Sequence, residues 1–136
     1  MATLWSLFCC REYHHKKFTM KKSEIKISVS LDEKNIPVKI DWQASDNDAQ
    51  DTSNAVFLSL WDQHKKNSLR IDLWTKEMSV EEMKQFYYQN LLSMADTLER
   101  ATGETEAAGA MRNFAHDFGQ RMRLIMENPV HSMLKK

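Results

Sequence analysis

The hydrophobic period of this chain changes once, and that change restricts its fold more than any other feature. Ile25, Ile27, Val29 and Leu31 alternate with polar residues, as do Val38, Ile40 and Trp42 beyond a turn-rich run at residues 32–35. Period two marks half-buried strands, so the two runs predict a β-hairpin. Pro37 has no N–H to donate and belongs at the first position of its strand or on an edge. Residues 43–54 are polar and acidic and read as a loop. Residues 55–61 are apolar, 62–68 polar, and 69–74 alternate again, which predicts a second hairpin. The segment 55–60 is short enough to be a helical turn instead.

Beyond residue 78 the period becomes three to four. Ser79 and Glu82 have the spacing of a capping box, in which each side chain accepts a backbone N–H of the other. Val80, Met83, Tyr87, Leu91, Met94 and Leu98 then recur on one face, and Arg100 and Gly103 close the helix. A second helix is expected from near Thr105, with Met111, Phe114, Ala115, Phe118, Met122 and Ile125 on one stripe and Pro129 at its end. The link between the helices is short enough to make them antiparallel. Strands first and helices second predict an α+β fold: a four-stranded antiparallel sheet of two β-hairpins, then an antiparallel two-helix hairpin packed on one face. The domain is placed at residues 20–128. Residues 1–19 carry no structural period and read as a disordered or weakly ordered tail, and 129–136 as a C-terminal tail.

Charge and cysteine content exclude several functions. The chain has 19 basic and 19 acidic residues. Residues 1–22 hold five bases and one acid, which leaves the remainder acidic by four charges. A nucleic-acid-binding domain carries its basic patch on the folded part, so no nucleic-acid partner is expected. Cys9 and Cys10 are adjacent and cannot staple distant segments, which points to a reducing compartment. The apolar stretch at residues 4–10 is too short to span a bilayer and has neither a basic residue before it nor a signal-cleavage pattern. A cytoplasmic protein without a membrane span is expected.

No residue cluster has the spacing of a catalytic or metal site. Cys9, Cys10, His14 and His15 lack the intervals that bring four ligands round zinc. Asp46, Asp48 and Asp51 lack the glycine and closing glutamate of a calcium loop. His64 and His116 have no serine, threonine or cysteine placed beside them by the sequence. The helix methionines read as core gap-fillers. No catalytic residue, cofactor or metal is therefore assigned.

The second hairpin carries the more informative pattern. A six-residue turn over 63–68 would set Trp61 opposite Arg70, Phe57 opposite Trp74 and Leu60 opposite Ile71. Leu58, Leu60, Leu69, Ile71 and Leu73 would then face the helices, while Phe57, Trp61, Arg70, Asp72 and Trp74 share the opposite face. Tryptophan and arginine most often dominate interfaces, so these five are the candidate protein-interaction residues, with Arg70 over the Trp61 ring. The structural alternative folds the aromatics over the sheet edge or under the 43–54 loop.

From residue 20 onward the chain resembles the gliding-motility protein GldC family of Bacteroidota. The resemblance rests on MKKSEIK (20–26), LDE (31–33), Pro37 and IDW (40–42), and on the stronger runs LSLWD (58–62), NSLRIDLWTKEM (67–78) and EMKQF (82–86). MADT (94–97) and RATG (100–103) extend it, and it reaches residue 122. It implies a small soluble cytoplasmic protein associated with surface gliding, without assigned catalytic residues. Residues 1–19 fall outside it, and natural translation is expected to begin at Met20. The expected function is a non-catalytic binding or assembly module whose partner is an unidentified protein, of the gliding machinery or a second copy of the chain. The alternative is a small enzyme or ligand-binding domain with a pocket between sheet and helices, lined by Asp72, Arg70 and His64.

Overall fold

The computed structural model describes residues 20–46 and 48–125. Five strands precede two helices: β1 (Ile25–Leu31), β2 (Pro37–Ala44), β3 (Ala49–Ser53), β4 (Ala55–Asp62), β5 (Asn67–Trp74), α1 (Val80–Thr102) and α2 (Thr105–Arg121). The α+β order and both hairpins follow the sequence pattern. The expected single four-stranded sheet is corrected to two antiparallel sheets, β1-β2-β3 and β4-β5. The expected 43–54 loop contains β3, whose AQDTS sequence pairs with β2 from Ala44↔Ala49 to Ile40↔Ser53. Its three central residues are all exposed, so β3 has no apolar face and no alternation to read. Asn54 separates β3 from β4, and its carbonyl accepts the Thr75 N–H at 2.8 Å. Thr75 is buried there, and the next residue, Lys76, donates its N–H to the Pro37 carbonyl at 3.2 Å. The end of β5 is thus tied to the start of β2.

Two hairpin turns are built on the same device. Asp32 Oδ1 accepts the N–H groups of Lys34 and Ile36 at 2.9 and 3.0 Å, and Asn35 turns the chain at φ 60°. The Ile36 N–H above all holds the Asp32 carboxyl below its ordinary range against desolvation, with smaller help from the Lys34 N–H and the charge of Lys76. Asp62 Oδ1 accepts from His64 and Lys65 at 2.9 and 3.0 Å, and Lys66 turns at φ 53°. Such a turn needs only residues 63–66, four rather than the six expected. The ladder is therefore tighter by two residues: Trp61 pairs with Ser68, Leu60 with Leu69, and Phe57 with Asp72. A shift of two conserves the faces, because side chains alternate with period two.

The capping box of α1 is complete. Ser79 Oγ accepts the Glu82 N–H at 3.2 Å, and Glu82 Oε2 accepts the Ser79 N–H at 2.9 Å. A cap of this kind contributes about 1 kcal/mol. The Ser79 N–H, and then its hydroxyl, hold the Glu82 carboxyl below its ordinary value of 4.5. Its share of the cap is therefore present above pH 4.5 and is lost as the pH falls through the lower folded value. Gly103 ends the helix at φ 75°, donating to the Glu99 carbonyl. α2 stops at Arg121, short of the expected end at Pro129, which lies outside the described residues, as do the tails at 1–19 and 129–136.

The seam between the helices is made of small residues. Ala95 on α1 and Ala108, Ala115 and Gly119 on α2 are buried. Arg112 bridges the pair outside the seam, donating to Asp96 at 2.8 Å and to Glu99. A Cβ added at Gly119 would lie 2.9 Å from Tyr88 Cε2 and 3.2 Å from Ile125 Cδ1, whereas one added at Gly109 meets nothing within 4 Å. Gly109→Ala should therefore raise stability by about 0.5–1 kcal/mol. Gly119→Ala gains the same helix preference but should lose about 1–3 kcal/mol by overpacking. Denaturant melts of the two variants give the comparison. Equal and positive changes would show that the helices do not meet at Gly119.

Candidate functional site

β4 and β5 place two different apolar faces back to back. Val56, Leu58 and Leu60 pair with Leu73, Ile71 and Leu69 on one. Ala55, Phe57, Ser59 and Trp61 pair with Trp74, Asp72, Arg70 and Ser68 on the other. The five candidate residues do share a face, as their alternation requires, but that face turns toward the helices rather than away. The Phe57 ring lies 4.7 Å from that of Phe86 at 48°, and 5.1 Å from that of Tyr87 at 68°. The aliphatic face is open toward the hairpin tip, where Leu69, Leu60 and Ile71 are 58%, 52% and 44% exposed, while Val56, Leu58 and Leu73 are half-buried. Alternation distinguishes the two faces but carries no sign of which is covered, since each carries large apolar side chains.

The inward-facing aromatics do not close against the helices. Phe57, Asp72 and Trp74 form one wall of a groove of ≈ 810 Å³. Met78 just before α1, Val80, Met83 and Tyr87 in its first two turns, Phe118 near the end of α2 and Met122 just beyond it form the other. Trp74 and Trp61 are exposed, Trp61 at 65%, and Trp61 stands beyond the groove near the hairpin tip. Arg70 is not over the Trp61 ring. Its guanidinium bonds Asp72 in a fork of 2.9 and 3.1 Å, because Arg70 and Asp72 are two apart on one strand and share a side.

Several polar groups on this groove are engaged in local pairs. Asp72 holds Arg70. Ser79 Oγ donates to Glu82 Oε2 at 2.7 Å while accepting its N–H, and Lys84 Nζ meets Glu81 Oε1 at 2.6 Å. His64 lies in the 63–66 turn, outside the groove, so Asp72, Arg70 and His64 are not brought together as a pocket lining. Among the acidic residues, Asp41 pairs with Lys39 at 2.9 Å and Asp51 accepts the Thr52 N–H at 2.7 Å. Among the described residues no group of three His, Cys, Asp or Glu is placed to hold a metal ion, and no helix is long and apolar enough to cross a membrane.

Val80, Met83, Tyr87, Phe118 and Met122 were legible as apolar stripes but not as a groove wall. Helical spacing shows which side of a helix is apolar, and only the placement of β4–β5 shows where that side is left uncovered. Met78, Met83 and Met122 line the groove rather than filling a core, and Met94 is exposed on α1.

The family model for gliding motility-associated proteins of the GldC-like type matches residues 37–124. The chain belongs to the GldC-like family. The matched span runs from β2 through α2 and takes in every residue of the groove wall. The segment at 20–36, which also bears the resemblance in sequence, lies outside it. No curated protein and no solved structure is similar enough to the chain to extend that assignment.

Proposed function

We propose that this GldC-like protein is a non-catalytic, cytoplasmic assembly module of the gliding apparatus of a Bacteroidota cell, and that its groove docks an apolar segment of a partner protein. The groove carries this reading. It is lined by aromatic and methionine side chains, which supply large contact areas and adapt their shape to a peptide surface. Asp72, Ser79 and Lys84 on its wall are spent on local pairs. Helices and extended segments dock into apolar grooves of this kind through a few spaced anchors. Membership of the family supplies the association with gliding.

A second reading has one observation in its favour. A volume of ≈ 810 Å³ is also suited to a small apolar ligand. A photo-reactive amino acid at Tyr87, compared with one at Lys26 on the polar face of β1, separates the two in native cells. The expected result is a partner-protein adduct from position 87 and none from position 26. In the same cells Trp74→Ala should weaken capture of that partner by about thirtyfold, the equivalent of roughly 2 kcal/mol. Adducts at both positions, or none at 87 with an apolar small molecule co-purifying, would overturn the docking of a protein segment.

A further inference from the structure

β5 has a strand neighbour on one side only among the described residues. The Thr75 N–H donates inward to Asn54, in step with the β4–β5 register, and the next N–H, that of Lys76, donates the other way to Pro37. Backbone groups alternate sides along a strand. Counting back from Lys76 by twos, the N–H and C=O groups of Asp72 and Arg70 therefore point away from β4, onto the open edge. Sheet edges are blunted by proline, a bulge or charged side chains, lysine above all. β5 has no proline, lysine or bulge over Asn67–Trp74, and its ladder with β4 is unshifted. Its only charged side chains, Arg70 and Asp72, flank Ile71 symmetrically.

We propose that a second copy of this chain adds to this edge, β5 against β5 antiparallel, about a two-fold axis at Ile71. In that register Arg70 of each copy stands opposite Asp72 of the other, twice over, and their backbone groups exchange hydrogen bonds. Leu69 stands opposite Leu73, and Ile71 opposite its own counterpart. A two-fold axis at Arg70 or at Asp72 would instead set like charges face to face, so charge selects the axis at Ile71. Two two-stranded sheets, each short of the three strands that make a sheet self-sustaining, become one four-stranded sheet. The aliphatic rows that contain Leu69 and Ile71, exposed in one copy, gain lateral neighbours in the other. The proposal stands on the edge and its charges and is independent of what fills the groove.

Sedimentation equilibrium of the full chain, over a concentration series, tests it. The wild type should reach twice the 16.0 kDa chain mass. Arg70→Glu places like charges opposite each other twice and should raise the dimer dissociation constant by about thirtyfold or more. Adding the reciprocal change, as Arg70→Asp with Asp72→Arg, should restore it. Both side chains reach solvent, so circular dichroism should show the variants folded. An independent readout uses Ile71→Cys in a chain with Cys9→Ser and Cys10→Ser. Facing residues on such an axis have Cα atoms about 4.5 Å apart, within disulfide range. Oxidation should then give a covalent dimer, while Leu60→Cys in the same background should not. A wild type that remains monomeric throughout, a dimer indifferent to Arg70→Glu, failure of the exchange to restore it, or no disulfide at position 71 would each overturn the proposal.

Discussion

Ile40→Ala should destabilise the fold by about 2–5 kcal/mol, the range for truncating a fully buried aliphatic side chain. Ile40 sits in β2 with Val29 and Ser53 as its cross-strand partners and is wholly buried. Among the described residues it is the only large apolar side chain in that state, since the other buried apolar residues are alanines. Its loss therefore leaves a cavity that no second large core residue is placed to fill. Urea melts should show the midpoint falling at an unchanged slope. Ile25→Ala, on the same face of β1 but exposed, should stay within about 0.5 kcal/mol of wild type. Similar losses at the two sites would mean that β1 and β2 are covered differently from the arrangement described above.

Phe57→Ala should cost about 3 kcal/mol, and Trp61→Ala less than about 1 kcal/mol, although the two residues lie on one face of one strand. Phe57 is half-buried and makes two ring contacts, with Phe86 and Tyr87. An aromatic pair adds about 0.5–1.5 kcal/mol to simple burial. Trp61 is exposed near the tip, opposite Ser68. Thermal or denaturant unfolding of both variants decides the point. If Trp61→Ala were the more damaging, the hairpin would have to pack by its distal end. The sequence pattern, which turns both residues away from the helices, leads to small losses at both.

Much of the fold was legible because local physics dictates it. The alternation at residues 25–31 and 37–42 and the capping box at Ser79 and Glu82 each specify an element without help from the rest of the chain. β3 was not legible. It is held by backbone pairing with β2, and AQDTS buries no apolar row that would show in the sequence. The β4–β5 register was two residues out because a four-residue and a six-residue turn serve the same pair of faces. The compact form prevails because Asp62 caps two backbone N–H groups and Lys66 adopts positive φ.

The candidate residues divide along the same line. That Phe57, Trp61, Arg70, Asp72 and Trp74 share a side follows from period two alone, and holds at either register. Their surroundings do not follow from it. The sequence by itself determined the order of elements, the two faces of the second hairpin and the apolar stripes of the helices, because each depends on residues near one another in the chain. The tertiary structure alone decided that the aromatic face meets α1, that Leu60, Leu69 and Ile71 stay exposed, that the β5 edge has no strand neighbour among the described residues, and that the helices leave a groove beside Trp74. Burial is set by what lies opposite a side chain in space, and each face of this hairpin carries large apolar side chains that the helices could cover.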